Sequence, residues 1–263
     1  SAERTDLRGG TYIHSKGRAT DGEVIVIADR IEQNTQTQVL VATGNVRYYG
    51  RDANVTCGRA TIYRRERRAV FETGVDMLIK PKDSPAPQEE VIPPLQPVVP
   101  NDIARTLPAP SADPAARDAV RDSENLRRYP IAVRADKVEY WYAAGQRRAV
   151  VTGNPQARQQ IAGQGWRMMW APQANYDGER EILTMNSAGS GRQVRFINSL
   201  GDDLAAVQVE VSTREGDDTM SAKDVQGTVN IEDDEIPDRG NTGGGGATGG
   251  SGPSLSGPIG RRV

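Results

Sequence analysis

The chain has 263 residues, enough for one large β domain or two smaller ones, and either can bury a core. Its 33 Lys and Arg residues nearly balance 35 Asp and Glu, so whole-chain charge favours neither nucleic acid nor an anionic membrane. Cys57 is the single cysteine, which excludes an intrachain disulfide and a cysteine metal cluster, and no run approaches the roughly 18 apolar residues needed to span a bilayer.

Residues 1–21 are Gly- and charge-rich, poorly patterned, and read as an N-terminal extension. From Glu23 the signals are strand-like. Val24-Ile25-Val26-Ile27 is β-branched throughout, and Gln38 to Val46 runs into Thr43-Gly44-Asn45, a turn sequence. Ala53 to Cys57 and Arg59 to Tyr63 follow. A charged turn at Arg64-Arg65-Glu66-Arg67-Arg68 then leads into Ala69 to Gly74. Residues 81–129 hold Pro81, Pro85, Pro87, Pro93, Pro94, Pro97, Pro100, Pro108, Pro110 and Pro114, a linker or insertion in which interior strands are excluded. A short helix over Ala115 to Arg128 is the one local exception. Strand signals resume at 130–232. There Asp177-Gly178 between apolar runs marks a hairpin, and Trp166, Met168 and Trp170 share one parity, as do Val207, Val209 and Val211. Residues 233–263, acidic and then Gly- and Ser-rich, cannot bury enough to fold and read as a disordered tail.

The strongest signal is internal repetition. Ala28-Asp29-Arg30-Ile31-Glu32 leads through a polar turn to Val41-Ala42-Thr43-Gly44-Asn45. Ala135-Asp136-Lys137-Val138-Glu139 leads through another to Val151-Thr152-Gly153-Asn154. Gly58 to Gly74 is a third copy, and Ala174 to Gly189 a weaker fourth. The expected fold is all-β: repeated antiparallel hairpins, as a first lobe over 22–80 and a second over 130–232, or as one sheet interrupted by a long loop.

Site chemistry is sparse. His14 is the only histidine, so no His pair can hold a metal, and no glycine loop lies between a strand and a helix as phosphate binding requires. Glu232-Asp233-Asp234-Glu235 lacks loop spacing for calcium and reads as a solvated boundary. The basic run Arg64 to Arg68 contains Glu66 and lacks the interleaved aromatics of a nucleic-acid patch. Asn54-Val55-Thr56 fits a glycosylation sequon, relevant only in a eukaryotic secretory setting. We therefore expect no catalytic residue, no metal and no cofactor. The candidate site is the sheltered face of the sheet: Val39, Val41, Ile62, Phe71, Met77, Ile79, Val138, Tyr140, Trp166, Met168 and Trp170. Those residues suit a filled sandwich core and an apolar groove for acyl chains equally well.

The ordered series of Ala-Asp-x-(Ile/Val)-Glu starts and Thr-Gly-Asn returns resembles the LptA/OstA family of periplasmic lipopolysaccharide-transport proteins. The likeness lies in Ala28–Glu32 with Ala42–Val46, Gly58–Tyr63 with Glu72–Val75, and Ala135–Glu139 with Val151–Asn154. It is closer over 22–80 than over 130–232. The Pro-rich insertion, Pro155 and the Gly-rich tail depart from the family pattern. The resemblance implies an open, twisted β-jellyroll that is not an enzyme and whose interior carries lipid tails. It also implies joining to envelope transport proteins or to itself by edge-strand pairing, in the periplasm, with a signal peptide removed ahead of Ser1. The rival expectation is an envelope scaffold with a filled core that binds protein or polymer partners.

Overall fold

The computed structural model describes residues 4–8, 11–20, 24–50, 52–80, 120, 128–161, 165–214, 217 and 219–229. Expectations for most of the Pro-rich insertion, the helix over 115–128, the acidic cluster at 232–235, the tail and the His14 side chain lie outside these residues. The described elements are strands throughout. They are β1 (Arg4–Arg8), β2 (Thr11–Thr20), β3 (Ile25–Asn34), β4 (Val39–Tyr49), β5 (Ala53–Tyr63), β6 (Arg68–Ile79) and β7 (Ile131–Trp141), then shorter ones. These are β8 (Arg148–Thr152), β9 (Gln156–Gln160), β10 (Trp166–Trp170), β11 (Gln173–Asp177), β12 (Ile182–Asn186) and β13 (Val194–Asn198). The series ends with β14 (Asp203–Ala206), β15 (Gln208–Ser212), β16 (Met220–Lys223) and β17 (Gln226–Thr228). All 17 belong to one antiparallel sheet.

Strands β2 to β7 form an uninterrupted meander. Ile79 pairs with Ile131 across the insertion, so of the two arrangements left open by the sequence, the pairing makes one continuous sheet. The 11–20 stretch, where we read no strand pattern, supplies β2 and pairs with β3 along its length.

From β3 to β7 the pairing shifts at the same level. The register breaks between Ile27 and Arg30, Thr43 and Val46, Thr56 and Arg59, and Glu72 and Val75. These are β-bulges, which kink a strand and sharpen its twist. The Thr-Gly-Asn sequence, which we read as a turn, sits here in mid-strand. Gly44 and Asn45 have φ of +75° and +45°, and Gly153 and Asn154 have +83° and +55°. The left-handed backbone that suits a turn also suits a bulge, and Gly and Asn reach it at little steric expense. The Ala-Asp half of the motif meets it from the neighbouring strand. Asn45 Nδ2 donates to Asp29 Oδ2 at 2.7 Å, and a Cβ on Gly44 would lie 2.5 Å from that same oxygen. Asp136 stands against Gly153 in the same way.

After β7 the bend becomes a break. β8 pairs with Lys137–Trp141 and β9 with Ile131–Arg134, so the two are halves of one strand parted at Gly153-Asn154-Pro155. β10 and β11 are likewise parted at Ala171-Pro172, where proline has no amide to donate to the ladder. The pairs β12/β13, β14/β15 and β16/β17 continue the two columns. The column of corners thus divides the sheet into two leaves. They fold face to face: the Tyr48 and Phe71 rings, one from each leaf, meet edge-on at 4.9 Å between centroids. At the outer margin Tyr140 Oη on one leaf donates to Asp52 Oδ2 on the other at 2.9 Å. The result is an open, twisted, all-β jellyroll.

Candidate functional site

Directly paired residues share a face, so the register maps the interior position by position. In the first leaf one row runs Ile31, Ala42, Ala60, Phe71, Val138, Val151, Ala174, Met185, Val209 and Ala222, each the register partner of the next. In the second leaf the row is Val26, Tyr48, Val55, Met77, Val133, Ala157, Met169, Phe196 and Leu204, ending at Gly227. Both rows carry an apolar or aromatic side chain at every position up to Gly227. An unbroken apolar stripe across ten strands is more than a single hairpin needs, and it is the feature from which a site can be built.

Its burial changes along the sheet. From β3 to β8 the interior is closed: Phe71, Val55 and Val138 are each 1% exposed, and Ala60 and Val75 are inaccessible. From β9 onward the second-leaf row is only half-buried at Ala157, Met169, Phe196 and Leu204. In the first leaf Tyr176 and Leu183 are half-buried and Met220 is 41% exposed. At the far margin of the second leaf the inner face turns polar. Gln159, Arg167 and Asn198 are consecutive register partners, all buried, and Arg167 Nε donates to the Val120 carbonyl at 2.9 Å. The inner face therefore has an apolar length and a polar margin, where the Arg167 guanidinium is held by the Val120 carbonyl.

The structure brings Ile62, Phe71, Met77 and Val138 together in one buried cluster. Tyr140 lies on the same face beside Ala69, and Ile79 continues that face at the strand end, 37% exposed. Val39 and Val41 point the other way, because Leu40 and Ala42 are the buried partners of Ile62 and Ala60. In the run Val39-Leu40-Val41-Ala42 every position is apolar, so alternation carries no parity information. Trp166, Met168 and Trp170 also fall on the opposite face. Met169 joins the inner row, while the two tryptophans pack with Ile197 in a separate cluster. The inner residues Leu40, Tyr48, Met169, Phe196 and Leu204 were not singled out from the sequence.

Little in the site is chemically reactive. Burial holds the Cys57 thiol up at about 11, and Sγ donates to the Arg59 carbonyl at 3.1 Å. Tyr140 is pushed far above its ordinary value by burial and by the Asp52 carboxylate. Asn54 of the sequon is fully buried in β5. Among the described residues no group of three His, Cys, Asp or Glu side chains could hold a metal, and no helix is long and apolar enough to cross a membrane. Two clefts of about 300 and 400 Å³ lie at hairpin tips and on the outer face, one lined by Ile182, Glu210 and Ser221, the other by Gln36, Val39 and Tyr63.

No protein-family model matches the chain, and no curated protein matches it. Among solved structures it is similar to the crystal structure of LptH, the LptA homologous periplasmic component of the conserved lipopolysaccharide transport device from Pseudomonas aeruginosa. The identity is 14%, over 66% of this chain and 93% of that chain, with a TM-score of 0.39. The all-β, antiparallel assignment rests on the strand pairing itself.

Proposed function

We propose that this chain is a non-enzymatic lipid-binding protein of the periplasm that carries a lipopolysaccharide-like amphiphile between inner and outer membranes along the inner face of its jellyroll. The observation that carries the reading is the pair of apolar rows, closed over β3–β8 and opening at Met169, Phe196 and Leu204. Acyl chains would lie against the open stretch, where burying apolar area is worth about 25 cal/mol per Å². Buried Arg167 and its amide neighbours suit the anionic end of such a molecule. The last strands support joining to other envelope proteins or to a second copy: among the described residues β16 pairs only with β15 and β17 only with β14, leaving an edge for strand addition. The motif resemblance in the hairpin corners agrees with this reading.

A second reading has its own support. The β3–β8 interior is filled by side chains such as Phe71 and Tyr48. A scaffold with a solid core, binding protein or polymer partners, would look the same there. Photo-crosslinking residues at Phe196 and Leu204, with Glu210 on the outer face as control, separate the two readings. With lipopolysaccharide present, the carrier reading expects lipid adducts at the inner positions alone. Absence of adducts, together with no co-purifying lipid by native mass spectrometry, leaves the scaffold.

A further inference from the structure

The hairpin tips at the margin of the first leaf form a continuous belt. Arg64 N donates to the Gln38 carbonyl at 3.1 Å and Arg65 Nη2 to Gln36 O at 2.8 Å, tying the β5–β6 tip to the β3–β4 tip. Tyr142 N donates to Arg67 O at 2.8 Å and Gly178 N to Arg147 O at 2.7 Å, adding the β7–β8 and β11–β12 tips. Backbone bonds between neighbouring tips hold their side chains side by side.

Arginines concentrate on two tips of this belt, while the β11–β12 tip carries Asp177, Glu179 and Glu181 beside Arg180. The β5–β6 and β7–β8 tips bring Arg64, Arg65, Arg67, Arg68, Arg147 and Arg148 together, in a chain whose net charge is −2. Glu66 pairs with Arg68 at 3.0 Å and Glu179 with Arg147 at 3.4 Å. Among the described residues Arg64, Arg67 and Arg148 make no ion pair, and Arg67 and Arg148 are exposed. Aromatic rings stand directly behind. Tyr63, Arg68, Trp141 and Arg148 are successive register partners on the outer face, with Arg68 Cζ 4.3 Å from the Tyr63 ring centre and Arg148 Cζ 4.2 Å from that of Trp141. A guanidinium stacked on a ring can still present its N–H edge to an oxyanion. Arg68 already gives that edge to Glu66 and Glu139, whereas Arg148 makes no ion pair among the described residues. In the sequence no aromatic is interleaved with the basic run and Tyr63 only precedes it; folding brings Trp141 to it from β7.

We propose that this arginine belt docks the protein on an anionic bilayer surface. Several cations held along one margin match a plane of lipid phosphates, and the Tyr63 and Trp141 rings, amphipathic and partly exposed, suit the headgroup layer. The surface is separate from the inner rows, so its test stands or falls independently of lipid carriage.

The full chain is sedimented with vesicles of phosphatidylcholine alone or of equimolar phosphatidylcholine and phosphatidylglycerol. Binding is expected only to the acidic vesicles, and is expected to be lost between about 0.01 M and about 0.5 M salt. Each arginine near such a surface strengthens partitioning about fivefold, so Arg64→Gln/Arg67→Gln/Arg148→Gln should weaken it on the order of a hundredfold. Arg47→Gln/Arg158→Gln, exposed positions on the outer face of the other leaf, should bind like wild type. Equal binding to neutral vesicles, no binding to acidic ones, or a triple variant that binds normally while keeping the wild-type circular dichroism would overturn the proposal. Displacement from acidic vesicles by stoichiometric heparin would reassign the belt to a soluble polyanion.

Discussion

Strands β3–β8 and strands β9–β17 solve the same geometric problem differently. Both must turn a corner halfway along each strand. The first group does so with bulges inside continuous strands, keeping both leaves in contact and the interior dry. The second breaks the strands at Pro155, Pro172 and the 187–193 connection, so its leaves are short: Met185, Val194, Ala206 and Val209 pack into a small buried cluster, but Ala157, Met169, Phe196 and Leu204 stay half-exposed. Continuous strands transmit register across the corner, and broken ones do not. The difference teaches that the extent of closure follows how the corner is made, since the two paired rows stay apolar in both regions while only the bulged strands bury theirs throughout.

The largest test of this contrast is paired truncation. Phe71→Ala should cost about 3–5 kcal/mol in urea unfolding, because its neighbours in the closed region cannot collapse into the void. Phe196→Ala should cost about 1–2 kcal/mol, since that ring is already half in water. Equal losses would mean that the two regions are packed alike.

Next come the corners. Gly153→Ala should destabilise by about 2–4 kcal/mol, combining a left-handed backbone with a Cβ driven into Asp136. Gly74→Ala should cost about 1–2 kcal/mol, because its φ is +68° but nothing lies within 4 Å of the new Cβ. If Gly74→Ala is the more damaging, the cross-strand Asp contact is not what defines the corner.

The smallest effect is a pH dependence. Burial holds Cys57 above its ordinary value of 9.0, at about 11, so the folded state keeps the thiol proton where the unfolded chain loses it. The contribution is complete below pH 9 and is lost as pH rises toward 11, about 2 kcal/mol over that window. Comparing wild type with Cys57→Ala by denaturant titration across that range isolates this slope from that of Tyr140. A slope unchanged in the variant would show that water reaches Cys57 and that the closed region is not dry.

The hairpins were legible in the sequence because turn chemistry is local. Arg64–Arg67 and Asp177–Gly178 stand at tips as expected. The corners were less legible: Thr43-Gly44-Asn45 satisfies the backbone demands of a turn and of a bulge alike, and only the Asp29 contact from another strand distinguishes them. Val138, between Lys137 and Glu139, shows its parity most plainly, and Phe71 and Met77 have a polar neighbour, Glu72 or Asp76, on one side. These three candidate lining residues and Ile62 share the interior. Val39 and Val41 do not, since the run around them is apolar on both faces. The open end at Phe196 and Leu204 was hidden because it exists only where two broken strands lie side by side.

The Asp–Gly corner also sets the step by which such a sheet can lengthen. Asp29 requires Gly44 on the strand that follows, Asp136 requires Gly153, and Gly58 stands against Thr73 in the hairpin between them. Each corner is completed within one hairpin, by its outgoing and returning strands. A duplicated hairpin brings its own complete corner, whereas a single added strand arrives with half of one. Growth and loss of such a jellyroll should therefore proceed two strands at a time, which keeps the same leaf on the same side of every copy.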